Sequence, residues 1–358
     1  MMLSMGRGVL MIEPDDTVQR AGEGAFIRLK NGAIMLMYSE FSGRGDNSAS
    51  WLAAVYSYDE GETWTDKQIV VAPQEGACNV MSVSLIRMQN GDIGLFHLQK
   101  YEREGIIYTS ILLRTSADEG LTWSEPRVCT RRESYYVKNN DRVIRLRSGR
   151  IVIPVAEHAP VMYQHGSVFC LYSDDDGLTW QESQRLDPPF ANDNKGLEEP
   201  GFYEKDNGDL YMYIRTRLSY QYESISKDGG QTWSPIRPNY KFASPRSPMT
   251  MKKFGNKTVA ILNPIANGSP FMKKEHTLFN KATRTPLIGL ISENDGAHFR
   301  PNYIESDWSN DYCYASTFDG GDYVLVSYYH SNNTNQTLHS LKVTKILYEE
   351  LENRYRGQ

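Results

Sequence analysis

Cysteine is scarce in this sequence: four residues in 358, Cys78, Cys129, Cys170 and Cys313, none of them in a CxxC pair. That spacing excludes the common zinc frameworks and a disulfide scaffold and leaves buried free thiols as the reading. No apolar run approaches the ~18 residues of a membrane span, and the opening MMLSMGRGVLMIEPDD lacks the apolar stretch of ~7–15 residues that marks a secretory leader. As it stands the chain reads as soluble and cytoplasmic, with no membrane insertion; removal of a leader would make it secreted or periplasmic instead. Positive charge is not in excess either, with 39 Lys and Arg against 44 Asp and Glu and no basic stripe, which excludes a nucleic-acid partner. There is no metal motif, phosphate loop or nucleotide fingerprint, so neither a metal nor an organic cofactor is expected.

What the chain has is repetition. SYDEGETW (57–64) returns as SADEGLTW (116–123), SDDDGLTW (173–180) and SKDGGQTW (226–233), with an eroded fifth copy, SENDGAHF, at 292–299. Ahead of each of the four full copies lies an alternating apolar run broken by a Gly-containing turn: FIRLKNGAIMLMY (26–38), SLIRMQNGDIGLF (84–96), VIRLRSGRIVIPV (143–155) and FYEKDNGDLYMYI (202–214). Two weaker copies occupy 246–261 and 312–328. Runs of this kind read as β-hairpins. Hairpin, further strand, box and Trp-led strand, repeated six times, predict an all-β fold: a six-bladed β-propeller of four-stranded antiparallel blades. The expected blades are roughly 15–75, 76–131, 132–190, 191–240, 241–305 and 306–350, with segment 8–13 closing the last. In each box the Asp and the Ser or Thr hold the turn, Gly supplies a conformation that other residues resist, and Trp fixes the turn against its blade. The box residues Asp59, Asp118, Asp175, Asp228, Trp64, Trp123, Trp180 and Trp233 are therefore structural.

In a propeller the first strand of each blade lines the central channel, and polar groups converge at its entrance. Nine residues before the hairpin glycines Gly32, Gly91, Gly149, Gly208, Gly255 and Gly321 stand Glu23, Ser82, Asn140, Glu199, Arg246 and Tyr312. Asp141 and Arg142 extend this polar set, as site residues or as a structural ion pair. Polar residues at the start of strands that then turn apolar point to a site for a polar ligand. His97, His158 and His165 lie in or beside blades two and three and read as ordinary residues. Tyr222 offers either a stacking face for a sugar or packing within its blade.

The boxes, together with EEPGFYEKDNGDLYMYIRT (198–216), RTPLIGLIS (284–292) and YCYASTFDGGDYVLVSYY (312–329), resemble the sialidase (neuraminidase) superfamily over nearly the whole chain. The resemblance implies a retaining hydrolase of terminal sialic acid that acts on glycans or glycoconjugates without a cofactor. Three arginines hold the sugar carboxylate, a Tyr activated by a Glu is the nucleophile, and an Asp is the acid/base. Carried over, Glu199 matches the activating Glu, Asp46 the acid/base, and Arg215 and Arg284 two of the arginines. For the nucleophile Tyr314 looks closest, whereas the count from Gly321 favours Tyr312; on a regular strand both face the same side.

The first blade departs from the family pattern. RAGEGAFIRLKNG places Gly22 where the first arginine is expected, Arg20 two residues early and Glu23 beside it, where its charge repels an anion unless paired or protonated. These changes suggest a divergent branch. Two other readings stay open: a propeller hydrolase or lyase acting on another acidic or neutral sugar through Glu23, Asp46, Asp141 and Glu199, and a carbohydrate-binding propeller without catalysis. Oligomeric state is not legible.

Overall fold

The computed structural model describes residues 4–158, 166–189, 196–265, 284–307, 309–332, 334 and 336–353. His165 lies outside the described residues. The six hairpin glycines set the plan of the fold. Each has φ between +56° and +93°, the left-handed region that lets a tight turn join the first two strands of a blade.

The first strand, β1 (Arg7–Ile12), stands outside the blade sequence. Blade one then follows as β2 (Arg20–Arg28), β3 (Ile34–Phe41), β4 (Ser50–Ser57) and β5 (Gln68–Val71). Blade two is β6 (Asn79–Arg87), β7 (Ile93–Arg103), β8 (Ile106–Ser116) and β9 (Arg127–Val128). Blade three departs from the pattern. Its inner strand is split into β10 (Tyr136–Val137) and β11 (Ile144–Arg145), both paired with β12 (Ile151–Glu157), and β13 (Ser167–Ser173) and β14 (Gln181–Glu182) complete it. Blade four is β15 (Glu198–Glu204), β16 (Leu210–Arg215), β17 (Tyr220–Ser226) and β18 (Arg237–Ala243); blade five is β19 (Thr250–Phe254), β20 (Lys257–Leu262), β21 (Leu287–Ser292) and β22 (Arg300–Glu305). In blade six β23 (Tyr312–Asp319), β24 (Tyr323–His330) and β25 (Ser340–Leu347) are joined by β1, which pairs antiparallel with β25, Arg7 opposite Lys345 and Ile12 opposite Leu341. A short helix, α1 (Tyr348–Asn353), follows.

Among the described residues the core is six clusters rather than one. Each fills the seam between neighbouring blades, as with Met35, Met37, Val83 and Leu95 between blades one and two, or Phe318, Leu325, Leu36 and Val55 between blades six and one.

The box tryptophans are wedges in these seams, always toward the preceding blade. Trp233 stacks on Phe202 in the seam between blades three and four (5.3 Å), and Trp180 meets Phe96 of blade two edge-on (5.9 Å). Trp64 and Trp233 meet Phe26 and Phe202 of their own blades, so the Trp does fix the turn against its blade, and from its place in the seam it also fastens that blade to the one before it. The polar part of the box is as read. In the second copy Ser116 Oγ donates to Asp118 Oδ1 (2.8 Å) and accepts from Gly120 N (2.7 Å), while Asp118 accepts from Thr122 N (2.9 Å) and Thr122 Oγ1 (2.5 Å). The same bonds recur in the other full copies, and they hold the box carboxyls at about 2. A carboxyl with a lowered folded-state value stabilises fully above its ordinary pKa and loses that contribution as pH falls toward 2. Ser116→Ala is expected to cost about 1 kcal/mol, read as a lower urea midpoint with an unchanged slope.

Strand direction decides which face can carry a site. Boxes and hairpin turns lie at one rim. The starts of the inner strands, the ends of the second strands and the β3–β4 loop lie at the other.

Candidate functional site

Four inner strands carry the same irregularity. The pairing register slips between Gly22 and Ala25, Met81 and Ser84, Glu198 and Gly201, and Cys313 and Ser316. At each slip one non-glycine residue has positive φ: Glu23 (56°), Ser82 (61°), Glu199 (43°) and Tyr314 (56°). Such a bulge turns one side chain out of the alternation of the strand. It settles where the two tyrosines point. Tyr312 precedes the bulge and is 1% exposed, its ring edge-on to Tyr328 and His330 and its hydroxyl on the Asp307 carbonyl (3.2 Å). Tyr314 faces the channel. The expectation that both share a side fails because Tyr314 is itself the bulge residue, whereas Tyr312 lies in the regular strand before it.

Tyr314 Oη donates to Glu199 Oε1 (2.9 Å) and accepts from Arg215 Nη1 (3.3 Å). Arg215, at the end of β16, also binds the other oxygen of Glu199. Behind it Glu198 lies 3.6 Å from Arg215 Nε and pairs with Arg246. Burial works to raise the Glu198 pKa, but the two guanidiniums outweigh it and hold the carboxyl at about 2. On the other side of Tyr314, Tyr329 of β24 stands edge-on (5.9 Å) and its hydroxyl accepts from Arg20 Nε (2.7 Å). Arg20 is 1% exposed, lies over Phe41 (4.1 Å), and donates to Glu23 Oε1 and Asp46 Oδ1, both at 2.5 Å. Arg284 lies over the Tyr314 ring (5.5 Å), with Nη1 on Cys313 Sγ (3.1 Å). Arg215 and Arg284 thus touch Tyr314 directly, and Arg20 approaches it through Tyr329.

Electrostatics divides the carboxyls. Burial raises the Glu23 pKa even though Arg20 opposes it. Desolvation also acts to raise Asp46, but Arg20, Lys100 and Arg284 prevail and lower it. The Asp46 side chain, 56% exposed, is the most open member of the group. Burial pushes the Tyr314 hydroxyl far above its ordinary range, so it is neutral at rest.

Several expected ligand-binding residues have other work. The gap in the inner strand of blade three carries Asn140, Asp141 and Arg142, and all three tie blades together across the channel. Asn140 Nδ2 donates to the carbonyls of Gly24 (2.9 Å) and Tyr314 (3.2 Å). Asp141 accepts from Lys252 Nζ and Thr317 N, and Arg142 donates to Asn140 O, Thr250 Oγ1 and Met249 O. Asp141 and Arg142 are therefore not an ion pair with each other. Their polar groups are occupied by backbone groups and by the side chains of Lys252 and Thr250. Of the two readings of Tyr222 the structure favours packing: on the third strand of its blade, it lies against the cluster that holds Trp233. His97 is buried and neutral, pushed down to about 3 by burial. Arg246 reaches the site edge through Glu198.

Sequence reasoning missed Glu198, Tyr329, Asn79 and Lys100. Tyr329 and Lys100 lie at the ends of second strands, like Arg215, whereas the count from the hairpin glycine reads only first strands. Among the described residues no group of three or more His, Cys, Asp or Glu is arranged to hold a metal.

The chain aligns with a sialidase of Micromonospora viridifaciens at 24% identity over 208 residues, 50% of this chain and 30% of the relative, so it spans less than a third of the curated relative it matches. Among solved structures, a protein of unknown function from Dyadobacter fermentans DSM 18053 superposes with a TM-score of 0.73 at 20% identity, covering 95% of this chain and 99% of that one. The intramolecular trans-sialidase of Ruminococcus gnavus, solved with oseltamivir carboxylate, gives 0.73 at 13% identity over 96% and 97%. The chain shares the propeller fold of these solved structures, and a BNR repeat-like domain model matches residues 81–326, so that it belongs to the BNR repeat-like family.

Proposed function

We propose that this chain is an exo-acting glycoside hydrolase of sialidase type, cleaving terminal sialic acid or a related acidic sugar from glycans. One observation carries the reading: the Tyr314 hydroxyl bonded to Glu199, with Arg215 on both. Tyr314 attacks the anomeric carbon as its proton passes to Glu199, while Asp46 protonates the departing oxygen. Water then cleaves the glycosyl–tyrosine bond with Asp46 as base, and Tyr314 recovers its proton from Glu199, so configuration is retained. A neutral tyrosine suits a sugar that carries its own carboxylate, because a carboxylate nucleophile would be repelled.

The arginines supply the complementary charge. Arg20 and Arg215 already bear carboxylates, but among the described residues Arg284 has no ion-pair partner; its side-chain partners are a thiol and a ring face. An anionic substrate supplies that partner. When its carboxylate takes the place of Asp46 on Arg20, Asp46 loses a cation and gains an anion nearby. Its pKa rises, the direction a proton donor needs.

The test is release of 4-methylumbelliferone from its sialoside between pH 4 and 8. Arg284→Ala should raise KM about 10–100-fold, the worth of ~1.5–3 kcal/mol for a hydrogen bond to a charged group. No release by folded wild type excludes the sialoside reading. The second reading, hydrolysis or elimination on another sugar, has one observation in its favour: Glu23 shares Arg20 and weakens that arginine as a carboxylate site.

A further inference from the structure

Asp46 sits in FSGRGDNSAS, a loop that closes on itself through backbone bonds from Ser42 N to Ala49 O (2.8 Å) and from Ser48 N to Gly45 O (3.1 Å). Blade two supplies the outer grip. Asn79 and Lys100 are register partners at the site end of β6 and β7, and they are 0% and 3% exposed. Asn79 Nδ2 donates to the carbonyls of Asp46 (2.8 Å) and Ser48 (3.1 Å). Lys100 Nζ donates to the same Asp46 carbonyl (2.8 Å) and to Asn47 Oδ1 (3.3 Å). Two enclosed donors on one carbonyl make a firm tether for an exposed loop.

A tether alone needs no charge, as the neutral amide of Asn79 demonstrates. Enclosing an ammonium is unfavourable, and Lys100 has neutral oxygens as its hydrogen-bond partners. What it faces besides them is the acidic side of the site: Asp46 and Glu23, with Arg20 opposing, Cys78 nearby and the Tyr135 ring at 5.7 Å.

We infer that Lys100, seconded by Asn79, is a positioning residue for Asp46: it fixes the loop through the Asp46 carbonyl and brings its ammonium to the acidic side of the site. This rests on the reading of Asp46 as the acid/base. The charged groups around that carboxyl are Arg20, Glu23, Lys100 and Arg284, and the three cations together lower its pKa. Removing one of them raises it. A general acid works protonated, so the alkaline limb of the rate profile moves to higher pH in the same variant.

The test follows the Asp46 carboxyl itself. In the full chain labelled with 13Cγ-aspartate, the Asp46 resonance is the one missing from Asp46→Asn, and it is titrated in wild type, Lys100→Arg and Lys100→Met, with Lys100→Gln standing in if the Met variant does not fold. The expected midpoint in Lys100→Met or Lys100→Gln is about one pH unit above wild type, with Lys100→Arg restoring the wild-type value. Amide exchange in residues 42–49 should quicken in Asn79→Ala and in Lys100→Met. On a sialoside with an unactivated leaving group, kcat of Lys100→Met should fall more than on the aryl sialoside. An unchanged Asp46 midpoint in the Met or Gln variant overturns the proposal. Wild-type kcat in Asp46→Asn would instead defeat the acid/base reading, and the titration would still decide on Lys100.

Discussion

On the proposed sialidase reading, Tyr314→Phe and Glu199→Gln are each expected to lower kcat on an aryl sialoside by about 10²–10⁴-fold, the range that a positioned proton acceptor supplies. Tyr314→Phe removes the attacking oxygen and leaves the ring that packs against Tyr329 and beneath Arg284. Glu199→Gln keeps that oxygen but not the base. Burial holds the hydroxyl protonated at neutral pH, so without Glu199 the phenolate is scarce at the moment of attack. Because the two act as a unit, the double variant should be no slower than the worse single one. Circular dichroism and urea midpoints establish that each variant is folded. Wild-type kcat in Tyr314→Phe would remove the tyrosine from the chemistry and turn attention to direct attack by water.

Arg142→Met is expected to destabilise the chain by about 3–5 kcal/mol, because three enclosed neutral acceptors lose their donor. Arg142 comes from blade three, is 1% exposed, and donates to Met249 O at 2.6 Å, Thr250 Oγ1 at 3.0 Å and Asn140 O at 3.1 Å. Methionine fills most of the volume but satisfies none of these acceptors, and each one left bare costs about 1–3 kcal/mol. The measurement is the urea midpoint, set against Ser116→Ala, where one turn loosens and the seams stay intact. A loss no larger than that of Ser116→Ala would mean that water replaces the guanidinium and that the channel is not held by this residue.

The propeller was legible because its most repeated residues answer to backbone geometry. A left-handed glycine in each hairpin and a Ser–Asp–Thr set in each box are required by local bonds, so they recur wherever the local structure does. The site was legible where the inner strand is regular. In blades one, two and four the nine-residue count from Gly32, Gly91 and Gly208 lands on the bulge residues Glu23, Ser82 and Glu199. It slips in blade three, where the strand is split and the left-handed residue is Asp141 rather than Asn140. It slips again in blade six, where the bulge is two residues nearer the turn and Tyr314 replaces Tyr312. Residues that reach the site from second strands, Lys100 and Tyr329, left no trace in the repeat, because the pattern there is ordinary alternation. Arg20 looked misplaced against the family spacing, yet the slip between Gly22 and Ala25 alters the geometry of its strand, and its guanidinium joins the site from there.

The pairing of β1 with β25 has a consequence for the order in which the molecule comes together. Arg7–Ile12 is made before the six blades, and its partner β25 only after the first five of them. Val9, Leu10 and Ile12 pack against the seam between blades six and one, so they have nowhere to settle until both blades exist. Blades one to five can form in turn from neighbouring sequence, but blade six gains β1 only once β25 has been made. A nick that releases those six residues would open the ring at that seam and bare the edge of β25 to the next molecule.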